Sequence, residues 1–340
     1  MSAEDVTLDE VAKKAGVSLA SASRALNGKT GVRPEVRERI VLVADALGYR
    51  PNRAAKNLAG GATSVIGLLL GREVIIGDIY AVSLIQAVSD AAKANDQGLM
   101  LLLDSKEPSE AVRNLLRDGL VDGVIVNTVA LGHRWIEELL DATLPTVLIG
   151  SHPGRNDVPS IIVESVEASA TMANHMFDGG CQRLAFLTGP EKNQDAQRRV
   201  EGFRLAHTRR NLPVNEALIF KGDHTRQTAY DMADTILAAE PDGVFCSNDE
   251  SALGLYTRAR QKRIDIPDQL SLAGFDGSAS ADVGQPKFST IDQPFEEVGE
   301  LAVQTLLALI ARKKVPLEQV VNPVVSIGDT TRPIEVDSGG

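Results

Sequence analysis

Thr7-Leu8-Asp9-Glu10 begins the most informative part of the chain, residues 7–27 with the sequence TLDEVAKKAGVSLASASRALN. Thr7 followed three residues later by Glu10 is a capping-box pattern, which predicts the start of a helix. Gly16 is typical of the residue that ends such a helix. A second helix is predicted from Ser18 to about Asn27. Two helices joined by a tight glycine turn form the unit that places its second helix in the major groove of DNA.

A third helix is predicted from Pro34 to Gly48, because proline is favoured in a first turn and apolar residues follow at helical spacing. We therefore expect a three-helix DNA-binding head at residues 1–50. Residues 1–60 carry ten Lys/Arg and seven Asp/Glu, a net charge of +3, whereas the other 280 carry 25 and 39, a net charge of −14. A basic head on an acidic body suits a protein that contacts phosphates at one end.

Composition excludes several classes of protein. No apolar run approaches the ~20 residues of a membrane span, and residues 2–5 are polar and acidic, unlike a signal peptide. The two cysteines, Cys181 and Cys246, lie far apart, so we expect reduced thiols and a cytoplasmic protein. The histidines lack zinc spacing, and Gly28-Lys29-Thr30 lacks the first P-loop glycine, since Ser23 stands there. We expect no enzyme activity, no cofactor and no metal.

A linker follows the head at residues 51–62. Pro51 and Asn52 are typical of a turn and a helix N-cap, and Gly60-Gly61 of a stop. One or two turns of helix between them are marginal in water on their own. The linker is therefore expected to order only when something holds it.

The body, residues 63–340, alternates short apolar runs with amphipathic helices in two similar series. This alternation predicts an α/β fold with doubly wound parallel sheets in two lobes. We place lobe 1 at about 63–163 and 293–320, and lobe 2 at about 164–292 and 321–340, with a final strand near Val320–Ile327. Ligands of open α/β sheets bind beyond the carboxyl ends of the strands, so a cleft between the lobes is the expected site.

Several motifs resemble the LacI/GalR family of bacterial regulators. In the head and linker these are TLDEVA (7–12), AGVS (15–18), SRALN (23–27) and LGYRPN (47–52); in the body they include VDGVI (121–125), RVEGF (199–203), VFCSND (244–249), GFD (274–276) and TIDQP (290–294). The resemblance implies a homodimer on a near-palindromic operator, and a body similar to periplasmic sugar-binding proteins with an effector in its cleft. The absence of a C-terminal leucine heptad favours a dimer over a tetramer.

The family pattern assigns DNA contacts residue by residue. Leu19, Ala20 and Arg24 fall at base-reading positions, where Arg24 can bind guanine O6 and N7; the alternative is an ordinary solvated arginine. Phosphate-positioning groups are Thr7, Ser18, Ser23, Asn27 and Tyr49. Asn52–Ala59 resembles the hinge helix of the family, with minor-groove contacts expected from Asn52, Ala55 and Leu58. Leu58 would be the wedge that kinks a central CG-type step, unless it packs on the lobe below.

The same pattern assigns the effector site to Tyr80, Asp195, Arg199, Phe245, Asn248, Asp249 and Asp276. Arg199 supplies a guanidinium fork, Asp276 and Asn248 accept from hydroxyls, and Tyr80 stacks on the ligand. Asp249 is equally a helix cap, and Phe245 equally a core residue. Asp195, Gly150-Ser151 and Asn193 depart from the family pattern, which weakens a purine interpretation and leaves the ligand open.

We therefore expect a ligand-responsive transcriptional repressor of carbohydrate uptake and catabolism genes. The alternatives are a regulator that responds to a nucleoside or another metabolite, and a global regulator controlled by a protein partner. A periplasmic solute-binding protein is disfavoured by the head. The sign of the response, induction or co-repression, stays open.

Overall fold

The structure is a computed structural model, and it describes residues 6–26, 30–49, 62–71, 79–104, 110–127, 134–152, 154–277 and 286–334. The chain divides into two compact units, residues 1–63 and 64–340. Asn27, Asn52, Ala55 and Leu58 lie outside the described residues, as does the proposed hinge helix.

The described residues of the first unit form three helices, α1 (Leu8–Ala15), α2 (Leu19–Leu26) and α3 (Pro34–Leu47). The capping box is confirmed, since Thr7 accepts from the Glu10 backbone N–H and Glu10 accepts from the Thr7 N–H. Gly16 ends α1 with φ of 64°, a left-handed conformation that favours glycine. Short apolar side chains of all three helices form the core: Val11, Ala12, Ala15, Ala22, Ala25, Ile40 and Ala44.

In its described residues, the second unit contains two parallel sheets flanked by helices. Its helices are α4 (Ile79–Ala94), α5 (Glu110–Arg117), α6 (Arg134–Leu140), α7 (Ser165–Asp178), α8 (Gln194–Arg209), α9 (Arg226–Ala238), α10 (Asp249–Gln261) and α11 (Phe295–Ile310). Its strands are β1 (Val65–Gly71), β2 (Gly98–Asp104), β3 (Gly123–Asn127), β4 (Thr146–Ile149), β5 (Ser160–Val163), β6 (Leu184–Leu187), β7 (Ile219–Phe220), β8 (Gly243–Cys246), β9 (Ser271–Ala273), β10 (Thr290–Asp292), β11 (Glu318–Val321) and β12 (Val324–Ser326).

The six-stranded sheet has the order β11-β5-β4-β3-β1-β2, and the four-stranded sheet the order β7-β6-β8-β9. All strand pairs in both sheets are parallel. The strand sequence 2-1-3-4 therefore recurs as β2-β1-β3-β4 and β7-β6-β8-β9. Each sheet forms one lobe, and this recurrence makes the two lobes related by topology.

The chain crosses from one lobe to the other after the strands and helices of each lobe. α11 packs on α4 against the six-stranded sheet, and Gly299 lies so close to Ala87 that a Cβ there would meet the Ala87 backbone at 2.7 Å. β11 then joins the six-stranded sheet beside β5, while β12 pairs antiparallel with β10. The single strand predicted near Val320–Ile327 is therefore two strands in different sheets, because Asn322-Pro323 interrupts the ladder.

β5 and α7 are elements that the sequence pattern did not single out. β5 is only four residues long, and its strand neighbour β4 ends eleven residues earlier. α7 is rich in alanine and serine, and Gly202 of α8 packs directly against it, where a Cβ would lie 2.2 Å from the Val166 carbonyl oxygen. Small residues that permit close helix packing give only a weak hydrophobic period, so the pattern was hard to detect.

Candidate functional site

The exposed face of α2 is the candidate DNA-reading surface. Ala22 and Ala25 are buried against the other two helices, so Leu19, Ala20 and Arg24 lie on the opposite, exposed face. Arg37 donates from Nη1 to the Ala25 carbonyl at 2.7 Å, which satisfies a backbone acceptor in the last turn of α2. The three predicted base-reading side chains thus share the exposed face of α2, while its opposite face is held by core packing and by Arg37.

Three predicted phosphate-contact residues have structural roles as well. The Ser18 hydroxyl accepts from the Ser21 backbone N–H at 3.2 Å, so Ser18 caps α2 rather than beginning it. The Thr7 hydroxyl takes part in the capping box of α1. Tyr49 is half-buried against the core of the head, and this desolvation raises its pKa. Their contacts with phosphate stay predictions, as does that of Ser23, which is half-buried on α2.

The candidate effector site lies where strands of the two sheets end. Arg199, in the second turn of α8, is 93% buried and donates from Nη1 to the Ser247 carbonyl just after β8, at 2.5 Å. Its Nη2 lies 3.5 Å from Oδ1 of Asp276, which follows β9. Gln293 donates to the same Asp276 oxygen at 2.7 Å. A guanidinium, a carboxylate and an amide are therefore joined at one edge of the four-stranded sheet.

The backbone at Asp276 is strained. Its φ is 122°, a region that residues other than glycine rarely adopt. Hydrogen bonds to Ile291 and from Gln293 hold this conformation. Strain of this kind persists where the surrounding structure enforces it, and it concentrates at binding sites.

Tyr80, in the first turn of α4, is the predicted effector residue that belongs to the lobe of the six-stranded sheet. Asn127, the last residue of β3, donates from Nδ2 to the Tyr80 hydroxyl at 2.8 Å, and the ring meets Phe295 edge-on at 5.4 Å. Desolvation raises the Tyr80 pKa above its usual range, the negative charges of Asp276 and Asp195 add to this, and Arg199 opposes it. The pKa of Tyr80 therefore depends on three charged groups of the other lobe.

The remaining predicted effector residues take different positions. Asn248 caps α10 by accepting from the Ser251 N–H, and it donates to the His224 carbonyl at 2.9 Å. Asp249 is fully buried and accepts from the Thr290 hydroxyl at 2.7 Å. Asn248, not Asp249, is therefore the cap.

Phe245 lies in the core of the second lobe. Its side chain is fully buried, with its ring edge-on to Phe186 at 5.2 Å. Of the two roles left open for this residue, the structure places it in the core. Asp195, by contrast, is a half-buried residue of the first turn of α8, where the helix dipole favours a carboxylate.

His224 lies beside the candidate site, although the sequence motifs did not assign it there. It follows β7 in a left-handed conformation with φ of 70°, and its Nε2 lies 3.0 Å from the Ser247 hydroxyl. Desolvation and the nearby Arg199 lower its pKa to about 3, so the imidazole is neutral at pH 7. Only glycine at position 189 leaves room for the ring, since a Cβ there would lie 1.9 Å from Nε2. Its position after a short strand was the available signal.

Four buried polar side-chain atoms lack a hydrogen-bond partner within the described part of the chain. They are Nε of Arg199, Nε of Arg198, Oγ of Ser169 on α7, and Oγ of Ser151, which follows β4 at the carboxyl edge of the six-stranded sheet. Buried donors without partners cost free energy, about 1–3 kcal/mol each, unless something binds them. Arg198 is otherwise held by Glu164 at 3.1 Å, so its charge is balanced.

Within the described ranges, no group of three His, Cys, Asp or Glu side chains is arranged to hold a metal ion. Both cysteines are buried free thiols. The described helices include none that is long and apolar enough to cross a membrane.

Comparison with known proteins agrees with this architecture. Residues 7–52 match the model of bacterial regulatory proteins of the lacI family, and residues 173–331 match the model of a periplasmic binding protein-like domain. The chain is 31% identical over 316 residues to the HTH-type transcriptional repressor PurR of Vibrio parahaemolyticus, covering 91% of this chain and 93% of that protein. It is 28% identical over 317 residues to the catabolite control protein A of Priestia megaterium, covering 92% and 94%.

A solved structure has the same fold. The lac repressor dimer bound to operator and the anti-inducer ONPF superimposes with a TM-score of 0.81 at 23% identity, covering 96% of this chain and 99% of that one. At this identity the likeness concerns the fold alone.

Proposed function

This chain belongs to the LacI family of bacterial regulatory proteins, and from that premise we propose that it is a repressor whose effector is a neutral, hydroxyl-rich molecule, a sugar or sugar derivative. The observation that carries the proposal is the Arg199–Asp276 pair at the carboxyl edge of the four-stranded sheet, with a buried Arg199 Nε that lacks an acceptor among the described residues. A guanidinium beside a carboxylate offers both donors and acceptors, which is what a sugar hydroxyl requires.

Charge supports a neutral ligand. Arg199 is balanced by Asp276 and Arg198 by Glu164, while Asp195 adds a further negative charge near Tyr80. His224 adds no positive charge, because its pKa is lowered to about 3. A phosphate or carboxylate would therefore meet no uncompensated cation among these groups.

The site also has a place for the carbon skeleton of a sugar. Tyr80 is held by Asn127 and Phe295 and remains half-buried, so its ring can pack on the ligand. The Ser151 hydroxyl, buried and without a partner in the described residues, is a further group at the six-stranded sheet. In this assignment Arg199, Asp276, Asn248 and Asp195 come from one lobe and Tyr80 from the other, so ligand binding depends on the distance between the lobes.

The regulatory mechanism follows as a population shift. A ligand that contacts both lobes favours the closed arrangement by its differential affinity for it, and the dimer then holds or releases the operator. In the homodimer, the exposed faces of two α2 helices would read two half-sites. Asn52, Ala55 and Leu58 would contact the minor groove between them.

Titration calorimetry tests the effector assignment. The panel is a set of neutral sugars, polyols, nucleosides and sugar phosphates, titrated into wild type, Arg199→Ala and Arg209→Ala. Arg209 is the matched control because it lies on the same helix but pairs with Glu167 at the surface. We expect a neutral sugar or polyol to bind wild type and Arg209→Ala equally and to lose binding to Arg199→Ala. Selective binding of a nucleoside or a sugar phosphate, or unchanged affinity in Arg199→Ala, would contradict the proposal.

A further inference from the structure

The two lobes share an Asp-Gly pair at the start of β3 and of β8, in which the glycine is the first residue of the strand. In lobe 2, Asp242 precedes β8 and accepts from the backbone N–H groups of Gln182 and Arg183, at 2.7 and 2.9 Å, just before β6. In lobe 1, Asp122 precedes β3 and accepts from the Ser64 N–H at 2.8 Å, just before β1. Each carboxylate thus fixes the backbone where the first strand of its lobe begins.

The two lobes differ in the segment that leads into this first strand. In lobe 2 the chain arrives at Gln182 from α7 of the same unit, whereas in lobe 1 it arrives at Ser64 from the segment that joins the DNA-binding unit to the body. Ser64 is left-handed, with φ of 55°. Its carbonyl accepts from the Gly98 N–H at 2.8 Å, and the Asp122 N–H donates to the Val65 carbonyl at 2.8 Å. An unfavourable conformation is therefore held by contacts on both sides of the peptide.

The strand that follows Asp122 ends in the effector site. All five residues of β3 are buried, and the strand is paired with β1 on one side and β4 on the other. Gly123 is closely enclosed, since a Cβ would lie 2.8 Å from Leu306. The last residue, Asn127, donates to the Tyr80 hydroxyl. β3 is about 16 Å long at ~3.3 Å per residue. Asp122, which binds Ser64, lies at its start, and Asn127, which binds the predicted ligand contact Tyr80, lies at its end.

We propose that Asp122 is the positioning residue that transmits effector occupancy to the DNA-binding head, by tying Ser64 to the same strand whose far end holds Tyr80 through Asn127. The inference rests on the proposed effector site for its direction of control. Ser64 must follow any displacement of β3, because the Asp122 carboxylate joins the two. A shift of Tyr80 on ligand binding moves Asn127, then β3, then Asp122 and finally Ser64.

The test compares Asp122→Ala with Asp242→Ala in the full-length dimer. Each substitution removes a carboxylate that accepts from backbone N–H just before β1 or β6, so each should lower the free energy of unfolding. Of the two, only Asp122 contacts Ser64, which lies two residues after the linker. The probe is a DNA site selected by wild type from a random pool, and operator affinity is measured with and without each ligand of the panel.

Without ligand, we expect operator affinity to fall about tenfold or more in Asp122→Ala and to stay within about twofold in Asp242→Ala. In allosteric proteins a ligand typically changes the affinity at the second site by about 5–150-fold. In Asp122→Ala, the ratio of operator affinity with ligand to operator affinity without ligand should fall toward one. The affinity of the DNA-free variant for the ligand should be unchanged. Equal effects of both variants on operator affinity would overturn the proposal, and so would a wild-type ligand response in Asp122→Ala.

A second pair of variants covers the case in which Asp122→Ala does not fold. Ser64→Gly removes the conformational restraint at φ of 55° but keeps the carboxylate, and Ser64→Ala keeps the Cβ. We expect Ser64→Gly to weaken operator binding and Ser64→Ala to match wild type; no difference between them would overturn the proposal. If no panel ligand changes operator binding by wild type, the effector assignment fails, while the ligand-free comparisons still decide the role of Asp122.

Discussion

The guanidinium carbon of Arg199 lies 3.7 Å from the ring centroid of Phe275, the residue directly before Asp276. Cation–π contacts of this kind contribute about 0.5–2 kcal/mol, more when desolvated. Phe275 therefore holds the guanidinium over its ring, and Asp276 and the Ser247 carbonyl hold it at its edge. Three groups at the ends of β8 and β9 thus orient one side chain.

Asp276→Asn should abolish the effector response without weakening operator binding in the absence of ligand. The substitution removes the charge partner of a 93% buried Arg199, and hydrogen bonds to charged groups contribute about 1.5–3 kcal/mol, which corresponds to a loss of roughly 10- to 150-fold in ligand affinity. The measurement is calorimetry together with operator binding. Asp268→Asn, an exposed carboxylate in the same lobe, is the control. Wild-type ligand affinity in Asp276→Asn would remove the residue from the site.

Arg24→Ala should relax base preference at one symmetric pair of operator positions. Arg24 lies on the exposed face of α2, and a bidentate contact with guanine contributes ~1–3 kcal/mol of discrimination per half-site. Selection from a random DNA pool measures the preference. Arg39→Ala removes an exposed arginine of α3 and should weaken all sequences evenly or not at all. A uniform loss in Arg24→Ala would instead indicate a phosphate contact.

His224 should make the protein less stable as the pH falls from 7.5 to 5. Its pKa in the folded protein is lowered to about 3, below the ordinary value of 6.5, so the unfolded chain binds the proton first and stability is lost below about pH 6.5. His175 acts in the same direction, since burial lowers its pKa too. The loss from one group cannot exceed about 1.4 kcal/mol per pH unit.

The measurement for His224 is the Tm of wild type and His224→Gln at a series of pH values. We expect the wild-type Tm to fall more steeply between pH 6.5 and 5 than that of the variant. Parallel curves would show that His224 titrates normally in the folded protein. Effector affinity should be constant between pH 6 and 8, because the imidazole stays neutral there.

Leu101→Asp should dissociate the homodimer. β2 is an edge strand, and Leu101 and Leu103 on one of its faces are 42% and 44% exposed. Val82 of α4 is also exposed, at 59%. Exposed leucines along an edge strand are typical of an interface. Analytical ultracentrifugation measures the association state, and Leu212→Asp, an exposed leucine of lobe 2, is the control. An unchanged dimer in Leu101→Asp would place the interface elsewhere.

Local signals predicted the head almost completely. A capping box, a glycine with positive φ and a first-turn proline each determine the backbone within a few residues, and the structure has all three where they were expected. The alternating pattern also predicted two parallel sheets. It missed β5 and α7, because a four-residue strand and a helix of small residues have little hydrophobic period of their own.

Part of the candidate site could likewise be predicted from the sequence, and part could not. Arg199 and Asp276 were identified from motifs, and the structure brings them within 3.5 Å. His224 was not identified, because its importance depends on Gly189 and Ser247, which follow other strands. Phe245 and Asn248 needed the structure to separate a core residue from a cap.

The helix-turn-helix head, the α/β class of the body and the family could be inferred from the amino-acid sequence, since these depend on short-range patterns and ordered motifs. Which polar groups meet depends on the tertiary fold. Arg199, Ser247, Asp276 and Tyr80 are separated by up to 196 positions along the chain. They belong to loops and helices that follow strands of the two parallel sheets, and the carboxyl ends of parallel strands are where such segments gather. The link from Asp122 to Ser64 is of the same kind, a contact over 58 positions made by strand order.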